Sequence, residues 1–269
     1  MPVEHYENFP VASLLLPKHL RRPIEAIYRF ARGADDIADE GNLNNEERLR
    51  GLTEYSRQLD CIEQNKAPES PAFRELGQII HEWKLPVQLF KDLLDAFSQD
   101  VIKKRYQDFP ELLDYCRRSA NPVGRLLLHL VNRTNAQHLY QSDCICTALQ
   151  LINFWQDIAI DWEKDRIYLP LEDLAEFGVT QEQIESQKWD ENFTLLLDFQ
   201  VNRTRQLMME GAPLVHQLPG RMGWEIRATI QGGLRILEKI QKLNGDIFRQ
   251  RPLLRPTDWF FVGIRSLCM

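Results

Sequence analysis

Apolar positions recur along most of the chain at intervals of three and four, the spacing that lines up one face of an α-helix, as at Ile24, Ile27, Tyr28, Ala31 and Ala38. Alternating strand patterns are scarce. Pro23, Pro71, Pro86, Pro122 and Pro213 each precede good helix formers and are expected at helix starts. Residues 40–47 (EGNLNNEE), 65–70 (NKAPES), 168–173 (YLPLED) and 217–223 (QLPGRMG) read as loops, none long enough to link two domains. The pattern predicts an all-α chain forming a single domain over residues 1–269, with no fixed-period repeat.

Two segments add polar residues to this pattern in an ordered way. In AIYRFARGADDIADE an apolar stripe runs into Asp35, Asp36 and Asp39, a D-D-x-x-D cluster. At 3.6 residues per turn, Tyr28, Arg32, Asp35 or Asp36, and Asp39 share one side of the helix, so two carboxylates a turn apart point the same way. In LQLINFWQDIAID apolar residues occupy nearly every face, as in a helix buried all round. Its polar exceptions, Gln150, Asn153, Asp157 and Asp161, form one stripe. Like charges at i and i+4 repel, and a buried carboxylate needs a counter-charge, so something positive must sit against that stripe. A cation such as Arg32 or Arg125 is one candidate, and a divalent metal is the other.

Two carboxylate pairs in a helical chain suit magnesium shared with a substrate phosphate, because Mg²⁺ takes oxygen ligands. A di-iron bundle would need Glu-x-x-His pairs, and no histidine here has an acidic residue three positions before it. P-loop, G-x-G-x-x-G, G-x-S-x-G and H-E-x-x-H motifs are all missing.

Charge and composition narrow the partners. Thirty-three Lys and Arg against 39 Asp and Glu give a net charge of −6 without a basic run, which disfavours nucleic acid. The first sixteen residues, MPVEHYENFPVASLLL, lack the positive start of a signal peptide, and no apolar run is long enough to span a bilayer, so a cytoplasmic location is expected. The five cysteines include only one close pair, spaced C-x-C, and read as reduced core thiols.

DDIAD at 35–39, QLINFWQDIAID at 150–161 and DRIYLP at 165–170, with YCRRSANPVG at 115–124 between them, resemble the squalene and phytoene synthase family. The resemblance implies an isoprenoid-synthase helical fold with two aspartate-rich helices across a central apolar cavity and magnesium ions holding a diphosphate. By position it implies that Asp35, Asp39, Asn153, Asp157 and Asp161 bind magnesium with Asp36 nearby. Arg32 and Arg166 would contact diphosphate, and Tyr28, Tyr115, Gln150 and Tyr168 would line the reacting centre. Within the family, VEHYENFPVASLLLP and AIYRFARGADDIADEG are most similar to members of the bacterial hopanoid pathway. That similarity implies conversion of presqualene diphosphate to hydroxysqualene by ionisation, rearrangement and water capture, without NADPH. The alternatives are head-to-head coupling of two prenyl diphosphates, giving presqualene diphosphate, squalene, dehydrosqualene or phytoene, and a non-catalytic assembly subunit.

Three positions depart from the family pattern: Gln156 where Arg is usual, Glu7-Asn8-Phe9 where many members carry a serine, and Gly233 where phytoene-type members align a tyrosine. Fewer diphosphate contacts suit a substrate with one diphosphate. Residues 40–47 are expected to act as a lid or a plain surface turn. Near the C-terminus, Trp259 and Phe260 are expected to pack against the domain, with peripheral membrane contact as the alternative.

Overall fold

A computed structural model describes residues 17–269, so Glu7-Asn8-Phe9 and the rest of residues 1–16 lie outside the described residues. In chain order the helices are α1 (Lys18–Asp39), α2 (Asn45–Glu63), α3 (Pro71–Trp83), α4 (Val87–Ile102), α5 (Phe109–Ser119), α6 (Asn121–Leu130) and α7 (Ala136–Gln156). Then follow α8 (Ile158–Glu163), α9 (Leu171–Glu176), α10 (Gln181–Glu185), α11 (Glu191–Gly211), a 3₁₀ turn (Ala212–His216), α12 (Gly220–Lys242) and α13 (Pro256–Leu267). Among the described residues the only extended pairing is an isolated bridge between Arg105 and Ile167, so the chain is all-α as the spacing predicts.

The helices sort into two compact units, one of residues 17–103 and 117–139, the other of 104–116 and 140–269. In the first unit α4 packs against α1, α2 and α6. Its core includes Phe30, which meets Phe73 and Phe90 edge-on at centroid distances of 5.9 and 5.2 Å. Asn44 caps α2 in a reciprocal box with Glu47, so helix begins inside the stretch expected to be loop. Residues 40–44 form a braced turn. Arg48 donates to the carbonyls of Ile37, Glu40, Gly41 and Leu43, satisfying oxygens that the end of α1 leaves unpaired.

The second unit is centred on α7, α11 and α12. Trp155 is fully buried and its indole N–H donates to Thr204 Oγ1 at 2.8 Å, tying α7 to α11. Two glycines allow close helix approach. A Cβ on Gly211 would lie 2.6 Å from the Gln141 carbonyl, and one on Gly233 would lie 3.0 Å from Ile152 Cδ1 and 3.1 Å from Met208 Cε. Gly233, the position where a tyrosine was the family expectation, therefore sits in a full interface.

Several expectations need correction. Pro23 lies inside α1, where its missing N–H leaves the His19 carbonyl without a helical donor, and Pro213 starts only the 3₁₀ turn. YLPLED and QLPGRMG are shorter loops than expected, because α9 and α12 begin at Leu171 and Gly220. All five cysteines are free, but only Cys116 and Cys144 are buried, and Cys268 is exposed. Trp259 and Phe260 do not pack away; both are exposed. Among the described residues no helix is long and apolar enough to cross a membrane.

Candidate active site

The first carboxylate set ends α1. Arg32 reaches one turn forward to Asp35 Oδ2 at 3.1 Å and Asp36 Oδ1 at 2.8 Å, so the helical spacing brings these three side chains together. Tyr28 lies one turn earlier and Asp39 one turn later, all of them half-buried. Arg48 stiffens the carbonyl end of the helix just beyond Asp39. Tyr55, packed nearby, has its hydroxyl pKa raised by burial and by the negative charge of Asp36.

The second set differs from the continuous buried helix expected from sequence. Helix α7 stops at Gln156, and Asp157 takes φ −113° and ψ 17° before α8 resumes. The main-chain bonds nevertheless continue, Asp157 N–H to Asn153 O at 2.9 Å and Asp161 N–H to Asp157 O at 2.8 Å. The local distortion keeps Asn153, Asp157 and Asp161 in one row. Buried Ile152, Phe154, Trp155 and Ile158 surround that row, but Gln150, Asn153, Asp157 and Asp161 are half-exposed, so the helix is not buried on every face.

After α8 the chain reverses through Asp165, which adopts a left-handed φ of 56°. Asp165 N–H bonds to Trp162 O, and Arg166 N–H returns to Asp161 O, both at 2.8 Å, completing a Schellman cap. This cap places buried Arg166 beside the last carboxylate of the row. Arg105 holds the turn from outside, donating to Asp165 Oδ1 at 2.9 Å and to Gln181 Oε1 at 2.9 Å. Ile167 N–H bonds to Lys104 O at 3.0 Å and Leu171 N–H to Tyr106 O at 2.9 Å. These bonds bring Tyr106 to Tyr115 and Tyr168. Tyr168 stacks on Phe154 with centroids 3.7 Å apart, while Tyr106 lies 5.5 Å from Tyr115 and 5.6 Å from Tyr168. The four rings form one buried aromatic wall, of which sequence reasoning named Tyr115 and Tyr168 but missed Tyr106 and Phe154.

The positive group required against the second row is Arg251, which no local pattern announced. Its guanidinium grips Asp157 through two nitrogens, Nε donating to Oδ1 and Nη2 to Oδ2 at 2.8 Å. The hydrogen bonds to Asp157 and the charges of Asp157 and Asp161 raise the pKa of Arg251. Next to it, the buried Gln156 amide donates to Pro252 O at 2.5 Å. Gln156 thus anchors the backbone of the segment that carries Arg251, and a guanidinium reaches Asp157 from residue 251 although position 156 lacks one.

The donor set fits magnesium. The groups proposed as ligands, Asp35, Asp39, Asn153, Asp157 and Asp161, offer carboxylate or amide oxygens, with no His or Cys, and are only partly buried. Among the described residues no three acidic, His or Cys side chains converge into a preformed ligand cluster. Asp157 already holds a cation, Arg251.

The sequence pattern of the squalene/phytoene synthase family matches residues 3–258. The chain belongs to this family. It is 34% identical to the hydroxysqualene synthase of Rhodopseudomonas palustris over 97% of its own length and 88% of the relative's. The crystal structure of squalene synthase HpnC from Alicyclobacillus acidocaldarius superimposes with a TM-score of 0.83 at 36% identity, covering 89% of this chain and 90% of that one. A dehydrosqualene synthase solved with a ligand shares the fold, with a TM-score of 0.87 at 22% identity over 98% of this chain and 92% of the other. Membership makes the protein a prenyltransferase-type enzyme of the isoprenoid-synthase fold, and the family's chemistry is head-to-head joining of prenyl diphosphates.

Proposed function

We propose that the chain converts presqualene diphosphate to hydroxysqualene as one isoprenoid-synthase domain built from both compact units. The observation that best supports this reading is the near full-length identity to a hydroxysqualene synthase. In the reaction the C–O bond to diphosphate breaks and both electrons leave with the diphosphate. The cyclopropane opens by rearrangement, and a water oxygen captures the cation and sheds a proton. Electrons balance without a reductant, so no NADPH is needed.

Asp35, Asp39, Asn153, Asp157 and Asp161 would hold magnesium, with Asp36 beside them. Magnesium, when bound, neutralises the charge of the departing diphosphate. Arg32 and Arg166 bind diphosphate oxygens, which requires Arg32 to loosen from Asp35 and Asp36. Tyr115 and Tyr168, with Tyr28 and Gln150, line the reacting centre. The ring faces of Tyr115 and Tyr168 stabilise positive charge on carbon, and their burial with Tyr106 and Phe154 excludes stray water. The proposed setting is cytoplasmic, with peripheral contact at the inner membrane face suited to lipid substrate and product.

The test is incubation of purified protein with Mg²⁺ and presqualene diphosphate, and separately with farnesyl and geranylgeranyl diphosphates, without NADPH, with products read by mass spectrometry. Hydroxysqualene from presqualene diphosphate alone supports the proposal. A product from farnesyl or geranylgeranyl diphosphate favours the coupling reading, which the similarity to a protein named squalene synthase supports. No product from any of the three diphosphates, with no Mg²⁺ binding by the native protein, would leave only a non-catalytic subunit.

A further inference from the structure

Helix α13 carries its polarity inside out. Asp258, Val262 and Ser266 recur every four residues and form the buried face, packed on α12. Asp258 is held there by Arg235 Nε at 2.7 Å and Lys239 Nζ at 2.6 Å, and Ser266 Oγ donates to Val262 O at 2.7 Å. The opposite side presents Phe260, Ile264 and Leu267, which are 67%, 46% and 69% exposed. Phe261 and Trp259 flank this stripe, and Leu253 is exposed on the approach to the helix. A surface helix ordinarily buries its large apolar residues and shows its polar ones to water. Here an aspartate and a serine are buried while five large apolar side chains spaced over little more than two turns are in solvent, an arrangement that marks an interaction surface.

The charge around this face selects the occupant. Residues 249–269 carry four arginines, Arg249, Arg251, Arg255 and Arg265, against the single buried Asp258, in a chain whose net charge is −6. Arg251 and Arg265 are paired with Asp157 and Glu238. Arg249, stacked over the Trp189 ring at 4.9 Å, and Arg255 are exposed, and neither guanidinium forms a salt bridge among the described residues, the Asp258 carboxylate taking only the Arg255 backbone N–H. An aromatic-rich apolar helix face rimmed by arginine is complementary to an anionic bilayer, where the rings enter the headgroup boundary and the cations meet lipid phosphates. A second copy of this chain would bring the same excess of arginine against itself.

We infer that α13 and the preceding residues 249–255 dock this enzyme on an anionic lipid bilayer through Phe260, Ile264 and Leu267, with Arg249 and Arg255 at the rim. The same segment grips the second carboxylate row through Arg251 and is anchored by Gln156 at Pro252, so the docking element is joined directly to the candidate site. The inference deepens the proposed function by naming the membrane surface, and its test requires no turnover.

The full chain is floated with vesicles of phosphatidylcholine alone or with 30% phosphatidylglycerol added, about that fraction sufficing for a negative surface. The native protein is expected to partition to the anionic vesicles and to detach as salt is raised. Phe260→Ser with Leu267→Ser should lower partitioning at least tenfold on both vesicle types, while circular dichroism stays native because neither side chain is buried. Arg249→Gln with Arg255→Gln should lower it roughly twenty-five-fold on anionic vesicles only, at about fivefold per arginine. Failure of the native protein to float, or equal flotation of the Phe260/Leu267 variant, overturns the inference. So does a native dimer in gel filtration that Phe260→Ser with Leu267→Ser makes monomeric without changing flotation, since the face would then belong to a second copy. Turnover of detergent-dispersed presqualene diphosphate by the Phe260/Leu267 variant separates the outcomes: retained turnover with lost flotation supports docking and catalysis as separate properties, whereas a functional reading that fails leaves the flotation result standing.

Discussion

The ion pair between Arg251 and Asp157 makes a quantitative prediction about how the second carboxylate row is held. Two unit charges about 4 Å apart attract by roughly 4 kcal/mol at an effective dielectric constant near 20 and roughly 1 kcal/mol in water. The Arg251 side chain is 44% exposed and that of Asp157 21%, so solvent screening draws the value toward the lower figure. Two-pronged contact keeps it near the top of the range for exposed pairs, about 1 kcal/mol. A double-mutant cycle of Asp157→Asn and Arg251→Gln in urea unfolding should return that coupling at low salt. Because the Debye length shrinks from about 10 Å at 0.1 M to about 3 Å at 1 M, NaCl should cut it by roughly half. Millimolar MgCl₂ should cut it further than NaCl of equal ionic strength, since the metal and Arg251 compete for one carboxylate. A coupling under about 0.3 kcal/mol at low salt, or one equally affected by the two salts, would refute the idea that Arg251 is the counter-charge exchanged for metal.

Asp157→Asn should cut turnover by about 10²-fold or more in a steady-state assay, because removing a metal-binding carboxylate costs several kcal/mol of charge stabilisation. At Gly233 the nearest atoms are the ends of flexible Ile152, Met208 and Leu149 side chains. Gly233→Ala should therefore change urea-measured stability by less than about 1 kcal/mol, as gained helix propensity offsets crowding, whereas Gly233→Tyr should cost about 3 kcal/mol. Thr204→Val should cost about 1–3 kcal/mol in the same measurement by leaving the Trp155 N–H unpaired in the core, and Thr204→Ser should restore most of it. Burial lowers the pKa of His129 from its ordinary 6.5. The unfolded chain then binds more protons than the folded one just below that value, so stability should rise with pH from about 5 toward 7 and level off above, and His129→Asn should flatten the slope.

What the sequence made legible was whatever repeats at helical spacing. The grouping of Arg32 with Asp35 and Asp36, and the single row of Gln150, Asn153, Asp157 and Asp161, follow from 3.6 residues per turn and needed no tertiary knowledge. The same periodicity misjudged Asp157, since a distortion that preserves the hydrogen bonds leaves no mark on the spacing of apolar residues. Arg251 lies 94 residues from its partner and sits in a loop, where no local rule connects the two. Asp165 took the left-handed position that more often signals itself as glycine, so the turn that returns Arg166 to Asp161 was hidden. For Trp259 and Phe260 the general rule that aromatic side chains are buried was outweighed by Asp258 and its two cations, which claim the inner face of α13.

The clasp between residues 104–107 and 165–172 bears on how this scaffold can be recombined. Arg105 grips Asp165, Lys104 accepts from Ile167, and Tyr106 accepts from Leu171, across some sixty residues of intervening sequence. A chimera that imports the α7–α9 region from a homologue while keeping the native 104–107 segment would splice two halves of one clasp drawn from different parents. Crossover points placed so that 104–116 travels with everything after residue 140 keep donor and acceptor in the same parental block.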